Sequence, residues 1–389
     1  MNASGSEYQY INCVRGYAVL MVITTHVTSA FPDLPYPLHR HTIMGWHGVQ
    51  MFFLASCVTL LMSWNAERRR NGRADAGSFF IRRIFRIAPA YYLSGILYFL
   101  LAPPPGGFDV WQALASATFV NAWHPQLMPT VENGWSVVPG GWSISVEFAF
   151  YFLFPVYAAL ATSLRRACWA FLAAVIAGAV LNQAALRMLS PANTPESVAN
   201  FLFFWFPNQM SVFALGGVLY YAIGRITTGD GVPGRIAARY GTPIALLSVI
   251  LFLGLAYLPV GRFVGAYPIL PSTLAASLVM ALFILSLSFD RGPFVNRYAA
   301  AFGTVSFSAY LLHFAVLEFV AAFPEVFQTR ATGVRALLAF PVVWLVVAAV
   351  TFVLSWSTYR AIELPMINAG KALIRMRRAR LVLVRPDAS

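Results

Sequence analysis

Charged side chains are scarce in this sequence. Asp, Glu, Lys and Arg make up 11% of the 389 residues, whereas a soluble domain has about 25%. Hydrophobic residues reach 59%, and the mean hydropathy is +0.67. This composition excludes an ordinary soluble domain and predicts an integral membrane protein.

Acidic residues are scarcer than basic ones. The chain has 14 Asp and Glu against 27 Lys and Arg, which gives a net charge of +13. The basic residues are dispersed among apolar segments, as membrane topology would place them. We therefore expect membrane lipids, and no nucleic acid, as partners of the basic surface.

Cysteine is also rare, and its positions exclude two common roles. The spacing of the cysteines resembles neither a metal site nor a disulfide framework, and each lies in a hydrophobic segment: Cys13, Cys57 and Cys168. Three histidines cluster in one predicted outer loop, at His39, His41 and His47. That loop has no cysteine and a single carboxylate, Asp33, so we expect no metal.

Hydrophobic segments of about 20 residues predict an all-α protein with about ten transmembrane helices. The segments are 11–31, 45–64, 84–102, 142–163, 167–189, 201–223, 241–260, 270–289, 301–323 and 335–358. The distribution of Arg and Lys between loops predicts that both termini are cytoplasmic. Residues 1–365 would form one transmembrane domain and residues 366–389 a basic cytoplasmic tail on the anionic inner leaflet.

The first hydrophobic segment carries two ionisable side chains, Arg15 and His26. Eleven residues at about 100° each bring them within about 20° around the helix, roughly 16 Å apart along its axis. Ionisable groups inside a membrane helix are costly and indicate function. A guanidinium at the water boundary and a buried imidazole could hold the two ends of one long ligand, with His26 as general base. Alternatively, His26 is simply hydrogen-bonded between helices.

A second polar group opens the fourth helix, where Ser143 and Glu147 share a face at i, i+4. The depth of Glu147 is comparable with that of His26, so we expect an imidazole as the partner of this carboxylate. The alternative is a Glu that reaches the outer interface and is solvated.

An arginine cluster, Arg82, Arg83 and Arg86, enters the third helix from the predicted inner side. Guanidinium groups offer planar, bidentate donors that suit phosphate. Topological anchoring accounts for any one of these arginines, but the compact group beside Arg15 favours an anion site.

The ninth helix carries Ser306, Tyr310 and His313 on one face at i, i+4 and i+7. Such a polar stripe in a membrane helix forms either a structural hydrogen-bond ladder or a substrate contact.

Several short motifs occur in order along nearly the whole chain and together indicate a family. They are Arg15-Gly16 with His26, Phe52-Phe53 with Ser56, Arg83-x-x-Arg86 with Pro89, Trp142-Ser143 with Glu147 and Tyr151 to Pro155, Ser306 with Tyr310 and His313, and Tyr359-Arg360 with Glu363 and Pro365. The sequence resembles membrane acyltransferase family 3. These multi-pass O-acyltransferases modify bacterial surface polysaccharides and some small natural products.

The resemblance implies a membrane-bound acyltransferase in the bacterial cytoplasmic (inner) membrane. The donor would be cytoplasmic acyl-CoA, most often acetyl-CoA. The acceptor would be a hydroxyl group of a carbohydrate or glycolipid that belongs to a bacterial surface or periplasmic glycan. We expect His26 and Glu147 to be catalytic and Arg15, Arg82, Arg83 and Arg86 to bind CoA. Ser143, Tyr310 and His313 would contact the substrate. The chain resembles the stand-alone type, without an appended extracytoplasmic domain.

Two other classes of function stay open at this point. A transporter or flippase of a lipid-linked glycan or polar solute would use Arg15, His26 and Glu147 for coupling. A membrane assembly protein would use the same polar groups only for helix packing.

Overall fold

The computed structural model describes residues 9–104, 109–128, 136–227, 232–258, 272–289 and 292–383. These residues form helices and no strand, which confirms the all-α prediction. The α-helices are Gln9–Ser29 (α1), Tyr36–Thr42 (α2), Gly48–Asn71 (α3), Ala76–Leu101 (α4), Val110–Ala117 (α5), Gly141–Leu160 (α6), Leu164–Leu189 (α7), Pro195–Phe204 (α8), Phe206–Thr227 (α9), Val232–Leu255 (α10), Ser272–Phe289 (α11), Arg297–Thr304 (α12), Ser306–Ala322 (α13), Pro324–Phe327 (α14), Gly333–Thr358 (α15) and Leu364–Leu383 (α16). Two 3₁₀ turns, Ile43–His47 and Pro125–Leu127, and one π-helical turn, Tyr359–Glu363, complete the described chain.

Within the described residues, seven helical segments are long and apolar enough to cross a membrane, or eight if the bent pair α12–α13 is one span. The protein is therefore a multi-pass membrane protein. Each of the ten predicted segments overlaps a helix, although α1, which carries Arg15, is not among the seven. The number ten and the cytoplasmic position of both termini stay predictions. The segment ends at 259–260 and 270–271 lie outside the described residues.

Two segments predicted as single helices are broken. The segment 201–223 covers the end of α8 and most of α9, with Trp205 in an extended conformation between them. The segment 301–323 contains α12 and α13, which meet at an angle of 81°. At this second break the buried carboxylate of Glu363 accepts hydrogen bonds from the backbone N–H and the hydroxyl of Ser308. Glu363 thus caps the first turn of α13, whose N–H groups have no helical partner.

Helix α12 packs directly against the backbone of α1. A Cβ atom at Gly16 would lie 2.0 Å from the carbonyl oxygen of Ala299, so only glycine permits this approach. The Tyr17 hydroxyl donates to the carbonyl oxygen of Phe294 at 2.8 Å, just before α12. These contacts fix the rotation of α1 and with it the directions of Arg15 and His26.

An ion cluster joins α3, α4 and α16. The buried carboxylate of Glu67 pairs with Arg82 at 2.7 Å and also with Arg378. Arg377 pairs with Asp75 at 2.6 Å. Two arginines of the predicted tail therefore pair with carboxylates of the transmembrane domain. The predicted domain boundary at 365/366 falls inside α16. The position of the tail on the inner leaflet stays a prediction.

Asp75 also caps α4, where it accepts the backbone N–H of Ser78 at 2.8 Å. Burial would raise the pKa of Asp75. The hydrogen bonds from Ser78 and the ion pair with Arg377 outweigh burial and lower that pKa to about 2. This carboxylate is thus ionised at neutral pH and holds the tail helix through a charged contact.

We expect Glu67→Ala to lower the free energy of unfolding by about 1–3 kcal/mol, because the substitution leaves two arginines without their shared counter-charge. The thermal unfolding midpoint of the detergent-solubilised protein measures this effect. Glu325→Ala, at an exposed position without an ion pair among the described residues, is the control. Equal midpoints for the two variants would contradict a stabilising role of the cluster.

Candidate active site

A cavity that is open at its mouth lies between α1, α3, α4, α6 and α13. It brings together six of the predicted site residues from four different helices. They are Arg15, Arg83, Arg86, Ser143, Glu147 and Tyr310. The remaining wall is largely apolar and aromatic, and is formed by Val49, Phe52, Phe53, Ser56, Ile87, Ile144, Tyr151, Ser306 and Phe307.

Three guanidinium groups face this cavity. Arg15 donates to the Thr59 hydroxyl at 3.0 Å. The guanidinium carbon of Arg83 lies 5.9 Å from the ring centroids of both Phe79 and Tyr151, within range of a cation–π contact. Arg86 forms no hydrogen bond or ion pair with any residue that the structure describes. With one carboxylate among them, these arginines give the cavity a net positive charge suited to a polyanionic ligand.

Arg82, the fourth arginine of the predicted phosphate site, is placed differently. It pairs with Glu67 and is not among the residues that line the cavity. The sequence could not distinguish Arg82 from Arg83 and Arg86, because the partner that draws it away comes from α3.

The Glu147 carboxylate is held by two hydroxyl groups. It accepts from Ser56 at 2.6 Å and from Tyr151 at 2.5 Å. We expected an imidazole at this position, but the structure does not bring Glu147 and His26 together. The carboxylate lies among the arginines of the cavity because α3 supplies Ser56 and α6 supplies Tyr151 one turn away. Both hydroxyl residues belong to the family motifs quoted above, which was the available signal for them.

Tyr310 also lines the cavity. Its hydroxyl donates to the carbonyl oxygen of Gly140 at 2.9 Å and lies 2.9 Å from the hydroxyl of Ser143, which donates to it. Ser143 and Tyr310, two predicted substrate contacts, therefore belong to one hydrogen-bonded group. Gly140 starts α6 with φ +75°, a conformation that glycine adopts without strain.

We expect Gly140→Ala to lower acyl-transfer activity. A Cβ atom at Gly140 would lie 2.8 Å from the Tyr310 hydroxyl, which would have to move. Gly72→Ala is a matched control, because Gly72 has φ +71° and no described atom would lie within 4 Å of its Cβ. Both variants should lose about 1–2 kcal/mol of stability through the left-handed backbone, measured by thermal unfolding. Equal activities of the two variants would contradict a role for the Tyr310 position.

His26 lies beside the second predicted histidine of the site, His313. The ring centroids of His26 and His313 are 5.2 Å apart, and the His313 ring is 5.9 Å from that of Tyr310. Phe314 packs against His26 and His313 at 4.4 and 4.0 Å. His26 is thus half-buried against His313 and Phe314 of α13, and it is not among the residues that line the cavity.

The described residues contain no group of three or more His, Cys, Asp or Glu side chains that could hold a metal ion. Of the three histidines predicted to cluster in an outer loop, His41 of α2 contacts the Tyr257 hydroxyl at 2.9 Å, and His47 at the end of the first 3₁₀ turn contacts Gln50 at 3.3 Å.

The fold and the cavity define a multi-pass helical membrane protein whose internal site combines arginines, a carboxylate and histidines. Residues 8–360 match the acyltransferase 3 family, described as an acyltransferase domain. The chain belongs to this family and is a membrane acyltransferase, which confirms the resemblance found in the sequence.

One curated relative is acyltransferase MdmB of Streptomyces mycarofaciens. It is 29% identical over 329 residues, which cover 79% of this chain and 78% of the relative. No solved structure matches the chain.

Proposed function

We propose that the protein transfers an acyl group, most often acetyl, from cytoplasmic acyl-CoA to a hydroxyl of a bacterial surface or periplasmic glycan. The observation that carries this proposal is the cavity with three arginines, together with the two histidines that lie behind its Tyr310 wall, His313 at 5.9 Å from the Tyr310 ring and His26 beside it. A site with arginines in the cavity and imidazoles next to it suits a donor with phosphates at one end and a thioester at the other.

The phosphates of CoA would bind Arg15, Arg83 and Arg86, since bidentate guanidinium contacts are strong for phosphate oxygens. Arg82 is paired with Glu67 and would not contact the phosphates directly; it would influence the site only through Arg83 and Arg86 of the same helix. Arg15 and His26 lie on the same helix about 16 Å apart along its axis. The pantetheine arm would bridge this distance and bring the thioester past Tyr310 to His26.

The acceptor would approach from the other side of the membrane, where Ser143 and Tyr310 offer hydroxyl groups. His26 would take the proton of the acceptor hydroxyl while the oxygen of that hydroxyl forms the new bond to the acyl carbon. The carbon–sulfur bond breaks, and the proton passes from His26 to the CoA sulfur. A general base of this kind contributes about 10²–10⁴-fold to the rate.

Glu147 would act from within the arginine group. Its carboxylate balances part of the positive charge of Arg15, Arg83 and Arg86, and its hydrogen bonds with Ser56 and Tyr151 keep it in place. In this proposal its contribution to the reaction is to set the charge and shape of the donor site.

Mass spectrometry of surface glycans from a deletion strain, with and without the restored gene, tests the acceptor. Purified protein in liposomes with isotope-labelled acetyl-CoA tests the donor. We expect an acyl mass gain on a glycan that requires both the protein and acetyl-CoA. A glycan profile unchanged by deletion would reject the glycan acceptor. If labelled acetyl-CoA gave no labelled glycan in the liposome assay, acetyl-CoA would be rejected as the donor.

A further inference from the structure

The two histidines of the site are direct neighbours, although the proposed reaction uses only His26. His26 comes from α1 and His313 from α13, and their ring planes are inclined by 41° at a centroid separation of 5.2 Å. Phe314 covers both rings. The arrangement is therefore a packed pair of imidazoles, and not a lone base.

The hydrogen bond of His313 determines its tautomer. Its Nδ1 lies 3.2 Å from the carbonyl oxygen of Ala309, one helical turn earlier. A carbonyl oxygen only accepts, so Nδ1 must be the donor, and in the neutral ring the lone pair lies on Nε2. The imidazole therefore offers an acceptor on the side away from its own helix.

That acceptor is unused. His313 is fully buried, and its Nε2 has no hydrogen-bond partner within the described part of the chain. A buried polar atom without a partner is costly and calls for an explanation. His26 likewise forms no hydrogen bond with a described residue, so within the described part of the chain each ring of the pair has a nitrogen without a hydrogen-bond partner.

The distance between the rings suits a hydrogen bond between them. An N–H···N contact of about 3 Å joins two imidazoles whose centroids are about 5 Å apart. At the observed separation of 5.2 Å, rotation of the His26 ring would form this bond while His313 keeps its hydrogen bond to Ala309. The carboxylate that could have oriented His26 instead, Glu147, is engaged by Ser56 and Tyr151.

We infer that His313 is the positioning residue of His26, an inference that rests on the proposed acyl transfer. In the loaded enzyme the Nε2 of His313 accepts one N–H of His26, which leaves the lone pair on the other His26 nitrogen. That nitrogen receives the proton of the acceptor hydroxyl as the ester bond forms. His313 stabilises the resulting imidazolium until the proton passes to the departing CoA sulfur.

Three substitutions of His313 test this inference. Gln places its side-chain oxygen near the position of Nε2, Asn places one near Nδ1, and Leu offers no acceptor. We expect His313→Leu and His313→Asn to lower kcat by about 10–100-fold, with KM for acyl-CoA changed less than about twofold. His313→Gln should retain a kcat about tenfold higher than the other two, because it keeps an acceptor at the required place.

Thermal unfolding midpoints separate these effects from loss of structure, and the Gln–Asn comparison decides even if the Leu variant is unfolded. Equal kcat values for Gln and Asn, a wild-type kcat in both, or a loss confined to KM would each overturn the inference. Failure of the proposed function looks different: the wild type would transfer no acyl group from acyl-CoA, or His26→Ala would remain active.

Discussion

His26→Ala is expected to lower kcat for acyl transfer by about 10²–10⁴-fold, the contribution of a general base. Binding of acyl-CoA should persist, because His26 is not among the residues that line the arginine cavity. Transfer of labelled acetyl groups by protein in liposomes measures the first quantity. Equilibrium binding of CoA measures the second.

His39→Ala is the matched control, since it removes an imidazole from α2, outside the cavity, and should leave transfer unchanged. Acylation retained by His26→Ala would remove His26 from the mechanism. Loss of both transfer and CoA binding would show that His26 contributes to donor binding instead.

Arg86→Gln is expected to raise KM for acyl-CoA by about 10–100-fold with a much smaller change in kcat. Its guanidinium lines the cavity and forms no hydrogen bond or ion pair with a described residue, so its N–H groups are available for a phosphate. A hydrogen bond with a charged group is worth about 1.5–3 kcal/mol, which converts to this range of affinity. Initial rates at varied acyl-CoA concentrations provide the measurement.

A donor without phosphates gives the sharpest control for Arg86. Acyl-pantetheine carries the same thioester arm, so Arg86→Gln should leave its KM unchanged. Arg165→Gln, an exposed arginine outside the cavity, should not affect KM for either donor. An equal rise in KM for both donors would contradict the assignment of Arg86 to the phosphates.

Together these variants separate the two ends of the site. The His26 variant addresses the imidazole pair, and the Arg86 variant addresses the donor phosphates. Because Tyr310 lies between them, Gly140→Ala, which displaces the Tyr310 hydroxyl, should affect the connection without removing either end.

Hydropathy and motif spacing were sufficient to predict an all-α membrane protein, the approximate position of each long helix except α16, and the family. Motif spacing also selected Arg15, Arg83, Arg86, Ser143, Glu147 and Tyr310 as site residues, but it placed Glu147 beside His26 and away from the arginines. These features can be read from the sequence because they depend on local runs of apolar residues and on periodicity along a single helix.

The partners of the charged groups were not predictable in the same way. Glu147 accepts from Ser56 where an imidazole was expected, Arg82 pairs with Glu67, and His26 lies beside His313. Each of these contacts joins residues from different helices, and helix rotation and close approach, as at Gly16, select them. Periodicity tells which side chains share a face of a helix, but the packing of whole helices determines which face meets which neighbour.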